Sequence, residues 1–258
     1  MPRFAANLSL LFAEQPFLER FAAARACGFT AVEMQFPYAF APAQLAEVML
    51  TAEVEVVLFN LPAGDWAAGE RGIACHPGRI DEFRAGVGRA LDYARTLGCP
   101  RLNCLAGSQP AGVTEAVARR TLIENLRFAA AMTRRAGVEL LLEPLNSRDV
   151  PGFLLPTPQA ALALIAEMGS DNLHLQYDLY HAQIMAGDLT HMLETELPRI
   201  GHIQLADVPG RHEPGTGEIN FDFLFARLDA LGYAGWVGCE YQPSGRSEAS
   251  LGWLARWR

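Results

Sequence analysis

Short apolar runs alternate along this chain with longer stretches in which apolar residues return every third or fourth position. The runs fall at 4–8, 31–36, 55–59, 101–104, 138–142, 173–177, 201–205 and 236–240, each with the length of a buried strand. Between them, Ile80, Phe83, Val87, Leu91 and Ala94 mark one helical face. Ala118, Leu122, Leu126, Ala129 and Met132 mark a second, and Ala161, Leu162, Ile165 and Met168 a third. Gly28, Gly98, Gly137, Gly169 and Gly232 stand just before the next strand, where the chain must leave a helix. Such punctuation predicts repeating β–α units and a parallel sheet. Eight strands in 258 residues is about 32 residues per unit, the spacing of a (β/α)8 barrel. The expected fold is therefore α/β, a single (β/α)8 TIM barrel domain over residues 1–258. A doubly wound nucleotide-binding sheet is the rival. It lacks its phosphate loop here, because Gly86-Val87-Gly88 lies inside a helical stretch and Gly215-Thr216-Gly217 has no third glycine.

Composition narrows the chemistry. Half the residues are hydrophobic, ample for a large core, and the formal charge of −8 is the wrong sign for tracking nucleic-acid phosphates. All 21 of the Lys+Arg total are arginines. With no lysine, Schiff-base aldolase chemistry, covalent pyridoxal phosphate and a P-loop lysine are all excluded. The five cysteines are odd in number and show no CxxC spacing, which points away from thiolate zinc and disulfides and toward a reducing, cytoplasmic setting. The apolar run 4–13 is broken by Asn7 and Ser9 and followed by Glu14, so it reads as a first strand and loop. No run of 18 apolar residues exists to span a membrane.

In such a barrel the chemistry sits at the C-terminal ends of the strands. Those ends carry Glu143, Asp178, Gln204 and Glu240, at intervals of 35, 26 and 36 residues. Four oxygen-bearing side chains from consecutive strands would converge on one mouth. Three carboxyl groups at close quarters need protons or a cation, and an all-oxygen set suits Mg²⁺ or Mn²⁺. Each residue alone also has a plain structural role available, such as Asp178 capping the helix that opens at Leu179. His181, one turn beyond Asp178, could face the same mouth and bind a substrate oxygen. His174 and His202 share the parity of Asp178 and Gln204 deeper in their strands and read as polar fillers of the barrel interior. Two long loops, 60–78 and 206–219, follow strands and so lie on the active face. The first offers Trp66 to exclude water and Arg71 to pair a substrate carboxylate. The second offers Arg211 for the same task, with His212 beside it.

Several stretches are similar to one known family. Residues 3–9 (RFAANLS), 60–72 (NLPAGDWAAGERG), 213–220 (EPGTGEIN) and 235–241 (GWVGCEY) resemble the hydroxypyruvate isomerases, xylose-isomerase-like TIM barrels, and the likeness runs from end to end. The resemblance implies interconversion of hydroxypyruvate and tartronate semialdehyde, with Glu143 and Glu240 as the acid/base pair. It also implies a divalent ion held by Glu143, Asp178, Gln204 and Glu240. Gln204 departs from the wider barrel group, which often has histidine there, and an amide oxygen binds borderline metals less well than imidazole. A sister group acting on 2-oxo-tetronates is similar throughout, and 251–253 (LGW) resembles it. The loop 60–72 and the stretch 143–146 (EPLN) favour hydroxypyruvate. The expected partner is a small anionic hydroxy-oxo acid rather than nucleic acid or membrane, and a homo-oligomer is compatible with it. Proton transfer between adjacent carbons needs no nicotinamide, flavin or pyridoxal phosphate. A lyase or dehydratase on the same barrel would begin with the same proton abstraction. A nuclease and a non-catalytic sugar-binding module are further readings of the same barrel.

Overall fold

The structure, a computed structural model, describes residues 1–257, and among them eight parallel strands close into one barrel in sequence order. The strands are β1 (Arg3–Asn7), β2 (Ala31–Met34), β3 (Glu55–Asn60), β4 (Arg101–Leu105), β5 (Glu139–Glu143), β6 (Leu173–Asp178), β7 (Ile200–Leu205) and β8 (Trp236–Cys239). β8 returns to pair with β1, Arg3 opposite Trp236. Each expected strand is present, its ends shifted by no more than two residues. The main helices are α1 (Arg20–Ala26), α2 (Pro42–Thr51), α3 (Ile80–Leu97), α4 (Glu115–Arg135), α5 (Pro158–Met168), α6 (Leu179–Met185), α7 (Leu189–Glu196) and α8 (Phe221–Ala230). None is long and apolar enough to cross a membrane among the described residues.

The helices form where the apolar period put them, and local chemistry sets their ends. Thr114 and Thr157 accept from Val117 N and Ala160 N to cap α4 and α5. Gly98 and Gly169 close α3 and α5 at φ of 62° and 61°, where a Cβ would be strained. The buried stripe of α3 runs through Phe83, Val87, Ala90, Ala94 and Leu97, with Ile80 and Leu91 at its margin. α4 buries Ala118, Leu122, Leu126 and Ala129 as the pattern required, while Met132 is half-buried.

Two apolar layers result, and they are unequal. The outward faces of the strands, such as Leu140, Leu142, Leu175 and Ile203, join the helices in one large continuous core. Inside the barrel only Ala5, Ala31, Val57, Leu58 and Leu141 form a small second cluster. The rest of the interior is polar: Asn7, Glu33, Asn103, Gln176, His202 and Gln204 are all almost fully buried there. Barrels of this type are ordinarily filled with branched apolar side chains. The expected role of His202 as a filler agrees with its 0% exposure, whereas His174 sits half-exposed at the opposite end.

The loops that follow β3 and β4 cross back to back at Gly72 and Gly107. A Cβ on Gly72, whose φ is 114°, would meet the Leu105 carbonyl oxygen, and one on Gly107 would meet that of Gly72. Backbone cannot yield as a side chain does. Gly72→Ala is expected to destabilise the protein by roughly 2–4 kcal/mol, from combined overpacking and φ strain. Urea unfolding checks it: the midpoint should fall at constant m-value, and a loss below about 1 kcal/mol would mean that the loops part freely.

Candidate active site

The three acidic residues expected at the strand ends meet at one mouth. Glu143 is the last residue of β5, Asp178 the last of β6, and Glu240 follows β8 directly. Their exposures are 4%, 2% and 5%, so the carboxyl groups are removed from bulk water. Each is held by specific donors. Glu143 Oε2 accepts from Asn103 Nδ2 at 2.6 Å, and the same amide reaches Asn60 Oδ1 at 3.1 Å. Asp178 divides its oxygens: Oδ1 caps α6 by accepting from Tyr180 N at 2.8 Å, while Oδ2 faces His181 and Arg211. The helix-capping and site readings of Asp178 are thus both realised, one on each oxygen. Glu240 Oε1 accepts from Gln35 Nε2 at 3.0 Å and Asn7 Nδ2 at 3.1 Å, and Oε2 accepts from Arg211 Nη2 at 2.6 Å.

Burial is the main cause that raises all three carboxyls. Glu143 is pushed well above the ordinary carboxylate range by burial first, then by Glu240 and Asp178. Asp178 is raised by burial, against the opposing pull of Arg211. Glu240 is raised by burial to about 7, with Arg211 again opposing.

Arg211, expected on the loop after β7 as a partner for a substrate carboxylate, is already engaged by the protein's own acids. Its guanidinium points down into the site, 3.3 Å from Asp178 Oδ2 and 2.6 Å from Glu240 Oε2, and lies 5.0 Å above the Tyr180 ring. The loop 206–219 is what aims it. Buried Asp207 accepts from the backbone N–H groups of Val208, Gly215, Gly217 and Ile219, and Arg211 N donates to its carbonyl. Arg71 is held flat on Trp66, 3.9 Å from the ring centre, and donates to the carbonyls of Trp66 and Glu70. Trp66 in turn packs on Phe36 at 4.8 Å. Arg71, Trp66, His181 and Arg211 all line, with Glu143 and Glu240, a cavity of about 290 Å³. His212 turns away, its Nδ1 bonded to the Gln242 carbonyl at 2.7 Å.

The tautomer of His181 follows from its neighbours. Asn146 N lies 3.2 Å and Asn146 Nδ2 2.7 Å from Nδ1, and both can only donate. The Asn146 amide is itself oriented by Asp149, whose carboxyl accepts from its nitrogen and whose N–H donates to its oxygen. Nδ1 must accept, so Nε2 carries the hydrogen and presents it toward Asp178 Oδ2 at 3.5 Å. Burial first and Arg211 second hold this imidazole neutral by lowering its pKa well below the usual value. His181 therefore offers the mouth a hydrogen-bond donor.

A divalent cation fits this donor set. Oxygens of Glu143 and Asp178 lie within 4.8 Å of one another and would be the ligands, with the His181 ring beside them as a hydrogen-bond donor. Three carboxyl groups face a single guanidinium, which leaves negative charge to balance. Glu240, drawn to Arg211, stands outside that tightest group. Gln204 has its amide engaged on both sides: Nε2 donates to Glu33 Oε1 at 2.7 Å while Oε1 accepts from Gln176 at 2.6 Å. The polar supports Asn7, Glu33, Gln35, Asn103 and Asp149 escaped sequence reasoning. A charged residue between Val32 and Met34 and the asparagine that breaks the run 4–13 were the visible signals.

Closed barrel and acidic mouth together define a class, the xylose isomerase-like TIM barrels, whose family model matches residues 21–257. Along its whole length the chain is 52% identical to hydroxypyruvate isomerase of Escherichia coli K12, also covered in full. It is 50% identical to 2-oxo-tetronate isomerase of Cupriavidus necator, with 98% of each chain covered. A solved Brucella melitensis structure described as AP endonuclease, family 2 superposes with a TM-score of 0.97 at 47% identity, each chain covered completely. The chain belongs to the hydroxypyruvate isomerase family and is an enzyme of the isomerase class.

The raised carboxyls give a stability signature. The folded protein keeps a proton on Glu240 up to about 7, whereas the unfolded chain releases it near the ordinary value of 4.5. Between those values the folded state binds more protons, so the stabilisation is complete below 4.5 and is lost as pH rises through about 7. In chelator, the urea midpoint should fall from about pH 5 to about pH 8, and Glu240→Gln should flatten that fall. A wild-type midpoint that rises across the window would contradict the placement of buried protons.

Proposed function

We propose that the protein interconverts hydroxypyruvate and tartronate semialdehyde, moving a carbonyl between adjacent carbons. The observation that carries this reading is the pairing of Glu143 and Glu240, two buried carboxyl groups with raised pKa, beside a neutral N–H donor and a guanidinium. One glutamate takes a proton from C3 of hydroxypyruvate, and the C2 oxygen gains one, giving an enediol. The other glutamate's side returns a proton to C2 while the C3 oxygen gives up its own. A carboxyl poised near neutrality suits both directions. The Nε2–H of His181 is placed to hold a substrate oxygen through the change.

Glu143 and Asp178, with Glu240 and Gln204 at the edge of the set, would hold a Mg²⁺ or Mn²⁺ ion. Such an ion, when bound, polarises a carbonyl and balances negative charge that develops on oxygen. Arg71 and Arg211 are the cations among the cavity-lining residues. Because Arg211 is already engaged by two carboxyls, Arg71 on Trp66 is the better placed to take the substrate carboxylate. The charge of −8 supports a small-molecule substrate over a nucleic acid. A 2-oxo-tetronate is the second reading, favoured by the nearly equal identity to that relative, 50% against 52%.

Purified protein supplied with hydroxypyruvate or a 2-oxo-tetronate, with and without Mg²⁺ or Mn²⁺, should give an isomeric product by NMR. Glu143→Gln and Glu240→Gln should each lower kcat by about 10²–10⁴-fold. No turnover of either compound would overturn the reading, and full activity in either variant would remove that glutamate from it. Separately, about 1 mM Mg²⁺ or Mn²⁺ added to chelated protein should raise Tm by several degrees, through linkage of binding to folding. An unchanged melting curve with both ions would reject the cation site.

A further inference from the structure

Beneath the mouth lies a buried acidic residue to which the reaction gives no task. Glu33, the third residue of β2, has 0% exposure and faces the barrel axis. Three side chains from two strands converge on it. Asn7 Nδ2 of β1 donates to Oε1 at 2.9 Å, and Gln204 Nε2 of β7 donates to the same oxygen at 2.7 Å. His202 Nε2, also of β7, lies 2.6 Å from Oε2. On the fourth side stands Gly238 of β8, where an added Cβ would collide with all three atoms of the Glu33 carboxyl group. Gly238 is not among the glycines of positive φ, so its lack of a side chain answers to this close approach. Burying a carboxyl group is costly, and the barrel both supplies it with donors and clears a strand to admit it.

We propose that Glu33 is a positioning residue for Glu240, acting through Asn7, and that Gly238 is glycine to leave it room. The Asn7 amide bridges the two acids. Its oxygen accepts from Ser9 N at 3.0 Å, so its nitrogen must face inward, and that nitrogen meets Glu33 Oε1 at 2.9 Å and Glu240 Oε1 at 3.1 Å. With Glu33 removed, Asn7 keeps only one anchor besides Ser9 and can swing away from Glu240. The same oxygen of Glu33 fixes which end of the Gln204 amide points toward it, so one acceptor orders two residues of the mouth. A displacement of about 1 Å at a proton-transfer group can cost as much as 10²-fold in rate. The proposal rests on the reading of Glu240 as an acid/base residue.

Five variants test it with the metal-supplemented enzyme. Glu33→Ala should lower kcat by about 10–100-fold with KM changed less than about threefold. Glu33→Gln keeps the shape and an acceptor oxygen for Asn7 and Gln204, so it should restore most of kcat. Gly238→Ala crowds the Glu33 carboxyl from β8 and should lower kcat in the same way, which keeps the test alive if Glu33→Ala does not fold. In a Glu240→Gln background, Glu33→Ala should have no further effect on kcat, because the group it positions is already disabled. Glu33→Gln as inactive as Glu33→Ala would overturn the proposal, since that would demand a proton on Glu33 itself. So would an undiminished effect of Glu33→Ala in the Glu240→Gln background. A Glu240→Gln single variant with full activity refutes the acid/base reading instead, and is distinguished by that measurement alone.

Discussion

Three carboxyl groups are held out of water at one end of the barrel, and a single guanidinium answers two of them. Arg211 touches Asp178 and Glu240 together, setting one cation between two almost fully buried carboxyl groups. An uncompensated carboxylate in such a place would cost several kcal/mol and would simply take up a proton. The arginine favours the ionised forms of the pair, burial opposes it, and the balance raises Glu240 to about 7. Acid and base chemistry at one carboxyl group depends on that balance. The loop 206–219, tied to Asp207 by four backbone donors, is the device that keeps the guanidinium aimed.

A polar barrel interior of this kind is stable only because the apolar work is done elsewhere. The outer core, between strands and helices, is continuous from Phe4 to Leu254. The inner cluster is a handful of residues around Ala5 and Leu141. Above it the interior is a lattice of amides, Glu33 and His202, in which most polar atoms find a partner. A few do not: Asn103 Oδ1, Gln176 Oε1 and His202 Nδ1 have no bond among the described residues. Accepting such costs where the chemistry is, and recovering them in the shell, is a common division in enzymes.

Most of the fold was legible because parallel strands buried on both faces are written as apolar runs, and helices on the outside as a 3.6-residue period. Glu143, Asp178 and Glu240 were legible for a related reason. A polar residue that ends an apolar run in a barrel has to lie at the mouth. Asn7 and Glu33 were harder, since a polar residue inside such a run breaks the rule that reads the run as a strand. Their alternation with Ala6, Val32 and Met34 placed them on the inner face, but a barrel interior is expected to be apolar. Arg211 was found as a residue, but its inward aim was not legible. Loop arginines are usually solvated, and only the fold of the glycine-rich loop about Asp207 turns this one inward.

The sequence by itself determined the number and order of the strands, three of the outer helices, the absence of lysine chemistry, and which acids stand at the strand ends. Those are local properties, readable because burial writes parallel strands as short apolar runs and outer helices as a 3.6-residue period. Only the tertiary structure decided what those acids face. That Glu240 meets Arg211, that Asp178 turns its other oxygen to the same guanidinium, and that Gln204 gives its amide to Glu33 are contacts between residues far apart in the chain. So is the state of His181, whose neutral Nε2–H form follows from two donors at Asn146, 35 residues away. Burial, pairing and tautomer depend on distances across the closed barrel, and no period along a single strand records them.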